Sequence, residues 1–466
     1  MDRDNIYSLV DKFVDDVLNV KNIDIKEPKI IVSPPGPNSR RIIKRDEKIN
    51  SKGSFSRLLP ISIESGYKEF VIDVDGNIYR DHFSGATAAN LGYGLNEFTK
   101  SIIIQLIKQS ITIQHTPYMY LSNPFATRLA EKLLEISPEG FDKVSFSVSG
   151  SVSNDYAIKM VRKYTKRKGL ITFENAFHGN SFGAASVSGF NLLSKEMGNI
   201  GNIFRAPFPV DDETAKNSIE KIKKIISRKK IGGMFIEAIQ ADSGILIPPE
   251  WFFKELREIC DKSNVLIIDD EVQTGLGRTG KWFAIEHFDI IPDIITIGKG
   301  LSGGFVPISA IITRQDIADS TQKPQLITTF LGHPIGSVVA LEVIQVIEKL
   351  LPSIRKNGEF IDNLQKRFIK KFKMIRDVRG IGYLRRIEIQ PQYGPLTIFR
   401  SLEKGELFGL FGIKNEVIRD APPFIMSKES IIQGYKKLEE VFMEIENNLI
   451  PESTINKVKK YFKGML

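Results

Sequence analysis

From about residue 96 to 345, short apolar runs alternate with stretches of helical periodicity. The runs are KVSFSV (143–148), GLITFE (169–174), GGMFIEAI (232–239), VLIID (265–269), DIITI (293–297) and PISAIIT (307–313). Strand-length runs separated by helical patterns predict an α/β fold, a doubly wound, mostly parallel sheet with helices on both faces. Near the start, Ile6, Leu9, Val10, Phe13, Val14 and Val17 recur at helical spacing. They predict a helix docked by one face. The stretch SPPGP (33–37) reads as an extended, proline-stiffened link. EFVIDVDGNIYRD (69–81) reads as a hairpin turning at Asp75-Gly76. After 351 the pattern changes to helical stretches with a few strand-like pieces and the turn DAPPF (420–424). That predicts a second, smaller α+β domain, with a surface helix in the tail. The expected division is 1–95 as an N-terminal segment packing with the small domain, 96–350 as the large domain and 351–466 as the small one.

Composition narrows the class. At 466 residues, with 42% hydrophobic and 26% charged residues, the chain is an ordinary globular protein of two domains. No apolar run approaches the roughly 18 residues of a membrane span, and the acidic, amphipathic start is no secretory signal. The one cysteine, Cys260, cannot form an intramolecular disulfide and lies on the apolar side of an expected helix. A cytoplasmic setting is expected. The net charge of +9 comes from scattered clusters such as 166–168 and 228–230. These alternate with apolar residues at helical spacing, so they read as solvated helix faces, not as a nucleic-acid surface. No membrane, nucleic-acid or metal partner is expected.

Lys299 changes the picture. It sits in IITIGKGLSGG (294–304), just past a β-branched run, while Asp270 closes the run VLIID upstream. A lysine at one strand end and a carboxylate at another are what a pyridoxal phosphate (PLP) enzyme needs. The amine forms a Schiff base with the cofactor aldehyde, and the carboxylate keeps the pyridine nitrogen protonated. Other motifs supply further parts. Ser149-Gly150-Ser151 turns from a strand into a helix, where hydroxyl and backbone N–H groups suit a phosphate. Phe177, beside His178 and Gly179, can lie flat against a ring. Glu237, Gln240 and Asp242 fall just past a strand end, where ligands bind in open α/β sheets. Thr328 or Thr329 can bind phosphate, and Arg419 can take a carboxylate in bidentate fashion.

In this order, the motifs resemble class III PLP-dependent aminotransferases, the family of 4-aminobutyrate, ornithine and acetylornithine aminotransferases. DEVQTGLGRTG (270–280) and IGKGLSGGFVPISA (297–310) carry the resemblance most specifically. With SGS, FHG, IEAIQ, TFLGHP and RDAPP it covers about 50–445. The PPGP and RDE near the start resemble an archaeal-type branch that also contains amino-acid racemases. The resemblance implies PLP fold type I, with Lys299 as the Schiff-base lysine and Asp270 as the pyridinium partner. It implies Val272 and Phe177 on the two ring faces, with His178 beside the cofactor, and Gln273 at the ring hydroxyl. Gly150 and Ser151 would hold the phosphate, joined by Thr329 from a neighbouring subunit of a homodimer or higher homo-oligomer. Glu237 and Arg419 would bind substrate.

Departures from the family pattern bear on substrate range. They are Val152 and Ser153 in place of an acidic residue and alanine, Ala238 in place of proline, His333 in place of asparagine, and Arg386 in place of a small residue. The implied activity is amino transfer from an amino acid, with ω-amino acids such as 4-aminobutyrate or ornithine among the candidates, to a keto acid such as 2-oxoglutarate. The alternative is racemisation or epimerisation by Lys299 and Asp242, because Asp242 matches the aspartate of an Ile-Gln-Gly-Asp-Gly-Gly stretch in racemases of this fold. A third reading, PLP binding without turnover, is opposed by the joint presence of Lys299, Asp270 and Arg419.

Overall fold

Helix α1 (Arg3–Val20) opens the chain in the computed structural model, which describes residues 3–20, 25–54, 57–190 and 198–463. Its contact stripe is narrower than the periodicity suggests. Val14 is 2% exposed, whereas Leu9 and Phe13 are 63% and 62% exposed. The contact line runs through Val10 and Val14, and Leu9 and Phe13 fall on the flank that faces away. The SPPGP link ends in a helix, α2 (Pro37–Ile49), with Gly36 as N-cap. Pro37 takes a first-turn position, where its missing N–H has no intrahelical acceptor to lose. Strands β1 (Ile63–Tyr67), β2 (Phe70–Asp73) and β3 (Ile78–Asp81) follow. β2 and β3 form the expected hairpin, with Ile72 opposite Ile78. Asp73 closes its turn by accepting from the N–H groups of Asp75 and Asn77, and Gly76 supplies the positive φ of 86°.

Residues 102–351 form one compact unit. Its strands are β4 (Lys143–Ser147), β5 (Gly169–Phe173), β6 (Ile203–Ala206), β7 (Ile231–Ile236), β8 (Leu266–Asp270), β9 (Ile294–Ile297) and β10 (Ser309–Thr313). They make a single seven-stranded sheet in the order β4-β10-β9-β8-β7-β5-β6. Five strands pair in parallel, and β10 runs antiparallel to both β4 and β9. Strands β5, β7, β8, β9 and β10 are buried along their whole length, as continuous apolar runs in a sheet covered on both faces should be. Helix α3 (Gly150–Thr165) packs Ile158, Met160 and Val161 against Leu170, Phe235 and Ile268 of the sheet. Helix α4 (Asp212–Arg228) opens on a capping box at Asp211 and Thr214. Helix α5 (Phe252–Ser263) buries Cys260 completely. Burial pushes the Cys260 thiol up to about 12, so it packs as a small hydrophobe.

Residues 1–101 and 352–466 make the second unit. The division falls inside the 38-residue helix α6 (Pro334–Lys371), at its internal Pro352. Beyond it lie β11 (Ile375–Ile381), β12 (Leu384–Ile389), β13 (Glu406–Leu407), β14 (Gly409–Phe411) and β15 (Val417–Asp420). An antiparallel sheet has the order β11-β12-β15-β14, while β13 joins β3 in parallel. Helix α7 (Lys428–Glu446) buries Ile431, Leu438 and Phe442. The tail helix α8 (Glu452–Tyr461) is docked by one face, with Val458 3% exposed; residues 464–466 lie outside the described residues. No described helix is long and apolar enough to cross a membrane.

Candidate active site

The carboxyl ends of β7, β8 and β9 lead into Glu237, Asp270 and Lys299, and α3 begins three residues after β4 ends. These are the places where an open parallel sheet exposes backbone and polar side chains to a ligand. Asp270, 5% exposed, is held by neutral donors and one imidazole. Its Oδ2 accepts from Asn154 Nδ2 at 2.8 Å and lies 2.8 Å from His178 Nδ1. A carboxylate can only accept here, so the His178 proton sits on Nδ1. Asp270 Oδ1 accepts from the Val272 N–H at 3.1 Å and from Thr296 Oγ1 at 3.4 Å. Asn154 is itself fixed, donating to the His178 carbonyl at 2.7 Å and accepting from Thr296 Oγ1 at 2.9 Å. The result is a buried carboxylate of fixed orientation.

Lys299 adopts φ = 39°, a left-handed conformation uncommon for a residue with a side chain. Such backbone strain costs on the order of 1–3 kcal/mol and persists where surrounding structure imposes it. The Lys299 Nζ donates to Gln273 Oε1. Gln273 Nε2 donates in turn to Asp242 Oδ1 at 3.0 Å. Lysine, amide and carboxylate therefore form one chain of contacts, and the amide orientation follows from having a donor on one side and an acceptor on the other.

Glu237, 5% exposed, accepts from the Phe177 N–H at 2.9 Å. Burial, then the charge of Asp270, hold its carboxyl well above the usual carboxylate range. Phe177 is half-buried and so is Val272. A Cβ on Gly150 would lie 2.7 Å from a Val272 methyl, and one on Gly179, at φ = 119°, would lie 2.2 Å from Ser151 Oγ. Two glycines thus let the N-terminus of α3, the Phe177–Gly179 turn and Val272 close upon one another. Ser149 caps α3 by accepting from the Val152 N–H at 3.4 Å.

The structure brings Lys299, Gln273, Asp242, Asp270, His178, Val272, Phe177, Glu237, Gly150 and Ser151 into one connected neighbourhood. Thr329 is exposed in the turn before α6, and among the described residues no hydrogen bond ties it to the others. Arg419 belongs to the other unit, on β15, 1% exposed. Its guanidinium lies 3.4 Å from the Phe411 ring centre and 5.3 Å from that of Phe83. Arg386 lies opposite Arg419 across β12 and β15 and is engaged by Asp377 and Glu388. The sequence reading missed Asn154 and Thr296. Asn154 lies one turn into α3 from the Ser-Gly-Ser cap, so its position relative to that cap was the available signal.

The donor set fits PLP. A fixed buried carboxylate, a lysine amine, a half-buried aromatic with an aliphatic residue, and a helix N-terminus with serine hydroxyls are together in one place. Comparisons with known proteins agree. The family model described as "Aminotransferase class-III" matches residues 54–442. An alanine/serine racemase of Pyrococcus horikoshii is 34% identical over 462 residues, covering 93% of this chain and 94% of that protein. An acetylornithine aminotransferase of Methanocaldococcus jannaschii is 34% identical over 398 residues, covering 83% and 95%. The crystal structure of a transaminase from the marine bacterium Virgibacillus superposes with a TM-score of 0.83 at 26% identity, over 88% of this chain and 100% of that one. The fold is PLP fold type I, the cofactor is PLP, and the chain belongs to the class III aminotransferase family.

Proposed function

We propose that this chain is an aminotransferase that moves an amino group from an amino acid to a keto acid such as 2-oxoglutarate. The observation that carries the reading is the contact chain from Lys299 through Gln273 to Asp242, beside a buried Asp270. Bound PLP supplies an aldehyde for the substrate amine and a ring that accepts electron density from the reacting carbon. Asp270, held by Asn154 and His178, would hold a proton on the pyridine nitrogen. Lys299 Nζ would take and return the substrate proton. Gln273 orients that amine and would hold the ring hydroxyl. Phe177 and Val272 would hold the ring, with His178 behind Asp270. Gly150 and Ser151 would offer N–H and hydroxyl donors to the phosphate. Glu237, whose carboxyl burial holds well above the usual carboxylate range, would line the substrate side, and Arg419 would take a carboxylate.

Asp242 favours transfer over inversion in this geometry. Its Oδ1 is engaged in holding Gln273, a role that needs no proton exchange with substrate. Exposed Thr329 supports a homodimer in which it reaches the neighbouring subunit's phosphate. A cytoplasmic setting accords with one buried cysteine. The amino donor is an α- or ω-amino acid, 4-aminobutyrate and ornithine among the candidates. Incubation with a panel of ω-, L- and D-amino acids, with and without 2-oxoglutarate, tests this. Product formation that depends on the keto acid is expected.

A second reading has one observation in its favour. The racemase relative covers 93% of this chain, against 83% for the acetylornithine aminotransferase at the same identity. Under that reading Asp242 serves opposite Lys299. Inversion of an amino acid without any keto acid would establish it and displace amino transfer as the main activity.

A further inference from the structure

Asp269 and Asp270 close strand β8 and Glu271 follows directly, so successive side chains point to opposite faces. Asp270 points to Asn154 and His178. Asp269 and Glu271 share the other face, both with 0% exposure. Among the described residues no lysine, arginine or histidine forms an ion pair with either. Asp269 faces the Ala238 N–H and the Glu271 carboxyl, and no side-chain cation. Glu271 is different. It accepts from the Ile285 N–H at 2.8 Å and from Thr274 Oγ1. Its own N–H donates to the Thr296 carbonyl at 2.9 Å, and its carbonyl accepts from the Gly275 N–H at 3.0 Å. Glu271 therefore pins both ends of the segment 271–285, which carries Val272 and Gln273.

Two adjacent buried carboxyls without a cation cannot both be charged, because burial and mutual repulsion each penalise the second charge. Burial, then Glu271, hold Asp269 well above the usual carboxylate range. Burial pushes Glu271 up to about 7, against the bonds from Thr274 and Ile285. The other charged groups acting on the pair, Asp270 and Glu286, are acids as well.

We propose that Asp269 is a positioning residue that shares one proton with Glu271 and thereby keeps the 271–285 segment seated, placing Val272 and Gln273 for the cofactor. The inference rests on the reading of Val272 and Gln273 as cofactor contacts. Asp269 touches neither cofactor nor substrate and acts through Glu271. Loss of the shared proton puts a second charge in the same buried space and loosens the anchor. The anchor is therefore intact below about pH 7 and weakens as pH rises through that value.

The test measures PLP affinity, by absorbance after dialysis, and thermal melting of PLP-stripped protein, both from pH 6 to 9. The variants are Asp269→Asn, which keeps volume and a donor, and Glu271→Gln as a second substitution in case the first does not fold. Both remove the shared proton. The ratio of wild-type to variant PLP affinity is expected to fall by about tenfold across the range, one pKa unit's worth. A ratio that does not change with pH in a folded variant overturns the proposal. A melting temperature that changes with pH while the affinity ratio stays constant also overturns it, since the pair would then be structural only. Gln273→Ala separates the two layers. If it leaves PLP affinity unchanged, the reading of Gln273 fails, whatever Asp269→Asn does.

Discussion

Each unit holds one prominent buried cluster of charge, and the two clusters are built in opposite ways. In the unit formed by 1–101 and 352–466, acids and bases are matched. Arg80 meets Glu406 at 2.7 Å, both almost fully buried. His82 Nδ1 lies 2.8 Å from Asp420, and its Nε2 lies 3.3 Å from Glu406. Tyr435 donates to the other oxygen of Asp420 at 2.7 Å. Gly434 leaves room for the imidazole, since a Cβ there would sit 2.4 Å from Nε2. In the unit formed by 102–351, acids crowd the sheet end without matching cations. Asp269, Asp270, Glu271 and Glu237 are all buried, and Lys299 contacts an amide. A matched network holds strands together without a ligand. In the unmatched one, Asp270 is placed to meet a cationic ring, and a cluster of buried acids with shifted titration marks a functional site.

Removing Lys299 at the unmatched end should have the largest effect. Lys299→Ala is expected to abolish the visible absorbance of the lysine-linked cofactor and to cut turnover by more than about 10⁴-fold, since it removes both the nucleophile and the proton carrier. A variant with normal turnover would mean that the lysine is structural and that the contrast between the units has no functional meaning.

Asp270→Asn comes next. The amide keeps the shape but cannot hold a proton on the pyridine nitrogen. Turnover is expected to fall by about 10²–10³-fold, with PLP retained. Retention is read by absorbance and turnover by product formation. Near-normal turnover would assign ring activation elsewhere.

The matched side is sharpened by pH. Burial alone would lower His82, but its bonds to Asp420 and Glu406 outweigh this and raise it to about 9. A raised folded-state value means that the stabilisation is fully present below the unfolded value near 6.5 and is lost as pH rises through about 9. Arg80 and Tyr435 are the other titratable groups on the pair. His82→Gln should destabilise by about 3–5 kcal/mol near neutral pH, as expected when a buried ion pair loses one partner. Urea unfolding from pH 6 to 10 should show a stability loss in the wild type that is absent in the variant.

Much of this contrast was legible in the sequence on one side and hidden on the other. The six apolar runs became strands β4, β5, β7, β8, β9 and β10; five of these are buried along their whole length and so leave continuous hydrophobic signals. Strand β6, IFRA, was not legible; its four residues carry an arginine and only one is buried. Strand β1, IESGY, is exposed or half-buried throughout and has no alternation to read. Lys299, Asp270 and the SGS turn stood out because their chemistry is local to a motif. Asn154, Thr296 and the Asp269–Glu271 pair act across chain separations or on the hidden face of a strand. The His82–Asp420 contact spans 338 residues. No periodicity reports a contact of that range.

Asp242→Asn should have the smallest effect if the chain transfers amino groups. In the structure Asp242 accepts from Gln273 Nε2, and an asparagine carbonyl oxygen can accept the same bond. Only the negative charge is lost, two contacts away from Lys299 Nζ. Amino transfer needs a single proton carrier, and Lys299 would serve as it. Keto-acid-dependent turnover should therefore fall less than about tenfold, the scale of one charge-assisted hydrogen bond made neutral. Inversion of an amino acid is different, since it needs a proton donor on the far face. If Asp242→Asn abolishes inversion while slow amino transfer persists, Asp242 is that donor, and the unmatched acids of this unit include a second catalytic base. If inversion is absent in the wild type and transfer survives in the variant, Asp242 serves to hold Gln273, and Lys299 works alone.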